Sequence, residues 1–198
     1  MIEAVGVTPF ELAETEIEGL FVITAKQIED ARGTVREFFR ASSYEDSAVG
    51  ALGPWLQVNL TWTCRGGIRG MHGEQVHKLV GAAGGEAFGA WVDARPDSAS
   101  LGKVVTAELR VGTEVLVPPG VCNGFQAVSE GGTQYLYCFD AEWTPGMVGV
   151  AVNPLDPSLA IPWPIAIDAT DESQLSAKDA GLPTFEELLD ELKAPREK

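Results

Sequence analysis

Histidine is nearly absent from this chain: it occurs twice in 198 residues, as His72 and His77. Both lie in the stretch Gly66 to Lys78, "GGIRGMHGEQVHK", so any imidazole chemistry is confined there. Cysteine is scarce as well. Cys64, Cys122 and Cys138 are odd in number and lack metal-ligand or oxidoreductase spacing, so they are expected to be reduced thiols of a cytoplasmic protein. Positive charge is in short supply, with 14 Lys and Arg against 29 Asp and Glu and a formal net charge of -15. That field repels nucleic acid and acidic membrane surfaces, yet a few cations in a cleft can still receive an anionic small molecule. No apolar run approaches transmembrane length. The opening "MIEAVGVTPFELAETEIEGL" has early acids and no basic region before an apolar run, so no signal peptide is expected.

Helical periodicity is also rare between Val49 and Pro164, and what stands there instead is strand-like. Residues 87–93 ("AFGAWVD"), 103–111 ("KVVTAELRV"), 114–117 ("EVLV") and 133–139 ("TQYLYCF") are rich in Val, Leu and aromatics. Turn-forming stretches such as "PDSASLG", "PPGVCNG" and "SEGG" separate them. Many short strands punctuated in this way predict an all-β sandwich or small barrel, the jelly roll included. One helix is expected in "PTFEELLDELK", where Thr184 can cap, Glu187 follows three residues later, and Phe185, Leu188, Leu189 and Leu192 form an apolar stripe. A shorter helix is expected within "EFFRASSYEDS". With no repeat and no long linker, residues 1–198 read as one domain, with a core over about 20–165, a helical tail over about 166–198, and fraying in the final "APREK".

The histidine stretch admits three readings. A metal site would use His72, Glu74 and His77. On a strand, however, 72 and 74 share a face and 77 points away, while on a helix a spacing of five is poor for two ligands. Metal-binding cupins recover a further histidine from a later Pro-x-Gly turn, and here "PPGVCNG" offers Asn123 instead. No metal is therefore expected. The second reading has His72 merely filling a strand position and His77 lying at the surface, which is the reading adopted for His77. The third is proton transfer at His72, with Arg69 and Lys78 close by in sequence and a double glycine that lets a ligand approach.

Several motifs bear on that choice. "W-x-Q-V-N" (Trp55, Gln57, Asn59), "GGIRGMH" (Gly66–His72), "K-L-V" (Lys78–Val80), "VDAR-x-x-S" (Val92–Ser98), "VPPGVCNGF" (Val117–Phe125), "NPLDPSLAIPWP" (Asn153–Pro164) and "LSAKD" (Leu175–Asp179) follow in this order. Together they resemble the dTDP-4-dehydrorhamnose 3,5-epimerase family, from "EDARG" (Glu29–Gly33) to "KDAGLP" (Lys178–Pro183). The resemblance implies a cupin-type jelly roll with no cofactor, working as a homodimer on a nucleotide-activated 4-keto-6-deoxy sugar. The ketone acidifies the neighbouring C–H bonds, so a base can take one proton and leave an enolate. His72 matches the family's base, and imidazole titrates near working pH. Asp179 matches the carboxylate that orients it. Lys78 matches the lysine that steadies the enolate oxygen. Arg69, Gln57 and Asn59 match residues lining the sugar and diphosphate, with Asn123 also placed on the substrate side. Arg32 and Glu37 match positions that reach the nucleotide, partly across the dimer interface.

Three departures stand out. The family's acid tyrosine, two residues before a proline, aligns with Trp143, whose indole N–H is too weak an acid to reprotonate carbon. Tyr135 and Tyr137 lie upstream, roughly 20 Å from position 143 along an extended strand, and are not expected to replace it. The loop from His72 to Lys78 is shorter than is usual in the family, and Val35 stands where the family has phenylalanine. Epimerisation beside a ketone, at one or both carbons with water as donor, is the leading expectation. Another carbonyl reaction by the same His–Asp pair, a non-catalytic sugar-nucleotide binder, and a metal-dependent cupin remain open alternatives.

Overall fold

The computed structural model describes residues 6–193; the fraying expected of 194–198 and the first five residues of the stretch expected not to be a signal peptide lie outside it. Two antiparallel sheets face each other. One has five strands in the order β10 (Val104–Leu109), β9 (Ala87–Asp93), β12 (Val121–Ala127), β7 (Ile68–Glu74) and β14 (Gly149–Ala151). The other has six, in the order β2 (Glu11–Glu14), β3 (Phe21–Thr24), β11 (Thr113–Val117), β8 (Lys78–Gly84), β13 (Thr133–Phe139) and β6 (Gln57–Thr63). A separate small sheet joins β1 (Gly6–Thr8), β4 (Gln27–Asp30) and β5 (Gly33–Arg36). The expected all-β jelly roll is the architecture found.

Strand parity distributes the apolar side chains into three layers. Val80, Trp91, Val121, Phe125 and Tyr135 point between the two large sheets and form the central core. Their chain neighbours point outward. Met71, Val92 and Cys122 pack on the back of the five-stranded sheet against Leu159 and the C-terminal helix. Leu79, Leu116 and Cys138 pack on the back of the six-stranded sheet beneath Tyr44, Phe39 and Trp55. The sandwich is therefore covered over the middle of both outer faces, which explains why Leu79, Val80, Trp91 and Val92 are all buried although they are neighbours in pairs.

Among the described residues the strands are accompanied by three short α-helices, α1 (Ala41–Glu45), α2 (Ala177–Ala180) and α3 (Phe185–Lys193), and one turn of 3-10 helix at Pro157–Leu159. In α3 the expected capping box forms, with Thr184 N donating to Glu187 Oε2 at 2.8 Å and Glu187 N to Thr184 Oγ1 at 3.3 Å. Leu188 of its stripe is buried on the sheet. The helix expected within "EFFRASSYEDS" shrinks to five residues. Arg40 makes no side-chain cap, and Phe38 and Phe39 pack across the sheet instead of continuing a helical stripe.

Candidate functional site

The strand β7 carries Arg69, His72 and Glu74 toward one end of the space between the sheets. Its approach to β12 is close: a Cβ on Gly70 would lie 2.5 Å from Gly124 Cα and 2.7 Å from Asn123 O, so only glycine fits. This contact sets Asn123 directly opposite His72 in the β7–β12 register. Past the β strands, Ser176 caps α2, its hydroxyl accepting from Asp179 N at 3.1 Å. That turn points the buried Asp179 carboxylate at the histidine. His72 Nε2 and Asp179 Oδ1 are 2.7 Å apart. Burial works against the Asp179 charge, but the His72 hydrogen bond and the Ser176 hydroxyl hold the carboxyl below its ordinary range. An ionised carboxylate can only accept, so Nε2 is the nitrogen that donates to Asp179, and in the neutral form of the ring Nδ1 is the one with a lone pair. The dyad is a base with its tautomer fixed.

Both residues line a cavity of about 240 Å³. Lys78, the first residue of β8, enters from the opposite sheet and is 4% exposed. Its ammonium donates to His72 O at 3.0 Å and to the Glu74 carboxylate. Burial penalises the Glu74 charge, yet the lysine beside it keeps the carboxyl below its usual range. Arg69 also lines the cavity, with Nε donating to Thr63 Oγ1 at 2.9 Å and, among the described residues, no carboxylate partner. The remaining wall is aromatic. Tyr135, Tyr137 and Phe139 alternate along β13 and face inward, and Tyr135 stacks on Phe125 with ring centroids 3.8 Å apart. Burial raises the Tyr137 hydroxyl above its ordinary pKa, against the pull of Arg69, so the phenol is protonated at neutral pH.

The structure thus gathers His72, Asp179, Lys78, Arg69 and Asn123 around one cavity, as the sequence reading had grouped them. Gln57 and Asn59 stand one strand further out, on β6, paired in register with Phe139 and Tyr137. Trp143 is not part of the cavity wall: its indole side is half exposed, and its backbone N donates to Gln57 Oε1 at 2.7 Å. Arg32 and Glu37 belong to the small sheet and its exit, where Arg32 pairs with Asp30 and Glu37 with Arg40, away from the cavity of their own chain. His77 points outward and its Nδ1 lies 2.8 Å from Asp140 Oδ2, as the alternation of a strand end requires. Among the described residues no group of three His, Cys, Asp or Glu is placed to hold a metal ion.

Tyr135 and Tyr137, which the distance along an extended strand separates from position 143, line the cavity from β13, whereas Trp143 is not among its lining residues. The period-two alternation of "TQYLYCF" carried that signal, since it puts 135, 137 and 139 on one face.

A jelly roll whose interior holds an oriented imidazole, a buried lysine and a phenol has the groups that proton transfer beside a carbonyl calls for. The family model for dTDP-4-dehydrorhamnose 3,5-epimerase matches residues 14–187, and the chain belongs to that family. It is accordingly an isomerase of the epimerase class. A dTDP-4-dehydrorhamnose 3-epimerase of Streptomyces niveus is 32% identical over 182 residues, covering 85% of this chain and 86% of the relative. Among solved structures, NovW, a 4-keto-6-deoxy sugar epimerase from the novobiocin cluster of Streptomyces spheroides, superposes with a TM-score of 0.84 at 27% identity, covering 95% and 94% of the two chains. RmlC of Legionella pneumophila, solved with dTDP-4-keto-L-rhamnose, gives a TM-score of 0.82 at 30% identity, covering 96% of this chain and all of the other.

Proposed function

We propose that the chain epimerises a dTDP-4-keto-6-deoxy sugar at a carbon beside the ketone. The observation that carries this reading is the 2.7 Å contact of His72 with Asp179 in a cavity that also holds Lys78 and Tyr137. His72 Nδ1 takes the proton from carbon, and Asp179 stabilises the imidazolium that forms. The electron pair moves onto the ketone oxygen, where Lys78 supplies an N–H. Tyr137 returns a proton to carbon, which inverts the centre if it stands on the face opposite His72. With a phenol in the cavity, water is not needed as the donor. Arg69, free of any carboxylate partner among the described residues, receives the diphosphate. The cavity is smaller than the roughly 300–1,000 Å³ that encloses a drug-sized ligand, so it takes the sugar ring and leaves the nucleotide to run outward, past Gln57 and Asn59 on β6 toward Trp143.

The working form is a homodimer. Two features support it. Leu56, Val58, Leu60 and Trp62, on the outward side of β6 and just before it, are 56–60% exposed, an apolar stripe that covering would remove from water. Arg32 and Glu37 lie away from their own cavity, where a nucleotide role calls for the partner's site. Three free thiols, two of them buried, fit residence in a reducing cytoplasm. Incubation with dTDP-4-keto-6-deoxyglucose in heavy water tests the reaction. Deuterium entering at C3 or C5, lost in His72→Ala, is the expected result; absence of exchange with folded wild-type protein refutes it.

A further inference from the structure

The cavity holds an acidic side chain, Glu74, that the proposed steps do not use. Glu74 ends β7 and Lys78 begins β8, and the three residues between them carry the chain from one large sheet to the other. Glu74 shares the face of His72, two residues away on the strand, and its carboxylate meets the Lys78 ammonium across the mouth of the sandwich. An ammonium has three N–H groups. One goes to His72 O at 3.0 Å and one to Glu74, and a single donor is left for the cavity.

We propose that Glu74 is a positioning residue for the epimerisation, holding Lys78 charged and aimed so that its remaining N–H serves the ketone oxygen while the diphosphate is left to Arg69. This rests on the epimerase reading of the site. The argument turns on burial. Lys78 is 4% exposed, and a buried amine without a counter-charge favours its neutral form. A neutral amine is a poor stabiliser of an enolate. The carboxylate does set a second negative charge near the reacting centre, but it is offset by the ammonium that it keeps protonated. Cancelling the lysine's charge in the resting site has a second effect. Lys78 no longer competes for the diphosphate, and Arg69 is the cation that remains, so the two ends of the cavity differ and the substrate has one orientation.

The groups around the ammonium are Glu74, His72 and Arg69 on β7, Tyr137 on β13, Cys122 on β12 and Asp179 on α2. Of these, Glu74 alone is both anionic and in contact with Nζ.

The test is steady-state kinetics and a pH profile for Glu74→Gln, Lys78→Gln and the double variant, with deuterium wash-in on the wild type run first. Glu74→Gln is expected to lower kcat about 10- to 100-fold, to leave KM within about threefold, and to move the alkaline limb of kcat to lower pH. Because Glu74 acts through Lys78, the double variant is expected to match Lys78→Gln alone. An unchanged kcat, a rise in KM alone, or losses that multiply in the double variant overturns the proposal. Should Glu74→Gln fail to fold, Glu74→Asp takes its place with the same comparison, since it keeps the charge but withdraws it by one methylene. Wild-type protein without any exchange overturns the epimerase reading and this inference together. Exchange in the wild type that Glu74→Gln leaves intact overturns this inference alone.

Discussion

His72 and Asp179 are 107 residues apart in the chain and 2.7 Å apart in space, one on a central strand of the sandwich and the other on a one-turn helix capped by Ser176. The pair fixes which imidazole nitrogen is basic. Asp179→Asn is expected to keep the fold, because the amide fills the same volume, and to lower kcat on the order of 100- to 10,000-fold through loss of tautomer control and of imidazolium stabilisation. Deuterium wash-in should fall in parallel with turnover, since both require the first proton transfer. Turnover lost with wash-in preserved would mean that Asp179 acts elsewhere.

Tyr137 and Trp143 predict different outcomes. If Tyr137 is the donor, Tyr137→Phe leaves His72 able to remove a proton and return a deuteron from the same face. Exchange without inversion is expected, with product formation reduced about 100-fold or more. Trp143→Phe, a change outside the cavity wall, is expected to alter kcat less than about threefold. NMR of the sugar after incubation in heavy water reads both quantities in one sample.

Glu114 supplies a prediction about stability. It sits on β11 beneath Tyr44 and is 3% exposed, and burial pushes its carboxyl up to about 9, with the Tyr44 hydroxyl compensating little. In the unfolded chain the group titrates near 4.5. A folded pKa above the unfolded one means that the native state holds the proton more tightly, so this contribution is complete below the unfolded value and is lost as pH rises toward 9. The slope is at most about 1.4 kcal/mol per pH unit. Glu114→Gln, which cannot ionise, should flatten the fall in unfolding free energy between pH 5 and pH 9. Urea denaturation across that range checks it, and an unchanged slope would show that Glu114 is not the group responsible.

Legibility in the sequence divides along physical lines. The strands 87–93 and 133–139 were readable to the residue because each is bounded by turn-forming stretches and built from β-formers. The helix α3 was readable because its capping box and stripe are local. His72 and Lys78 share one local stretch with Arg69, whereas Asp179 is a candidate only through the ordered motifs, since no local pattern links positions 72 and 179. Distance measured along one strand does not reveal Tyr137, because the wall of the cavity is made by strands lying side by side. The sequence offers Glu74 only as a metal ligand. Its contact with Lys78 depends on the three-residue connection that crosses from one large sheet to the other, and spacing alone does not reveal that crossing. Arg32 and Glu37 are visible as family positions, and within their own chain they pair with Asp30 and Arg40 away from the cavity.

The exposed side of β6 decides whether that second chain is there. Leu60 and Trp62 are 58% and 60% exposed on an edge strand that carries Gln57 and Asn59 on its other face. A dimer through this stripe would bury apolar area at roughly 25 cal/mol per Å², and the proposed nucleotide role of Arg32 is then tested as a contribution across that interface. Trp62→Asp places a charge in the middle of such an interface and is expected to yield monomer by light scattering. KM should rise, because the nucleotide loses a cation, while kcat at saturation falls less, because the catalytic dyad lies within one chain. Arg32→Ala in the intact dimer should reproduce the rise in KM without dissociation. A Trp62→Asp protein that is still dimeric would place the interface elsewhere, and a monomer with unchanged KM would remove Arg32 from the nucleotide site.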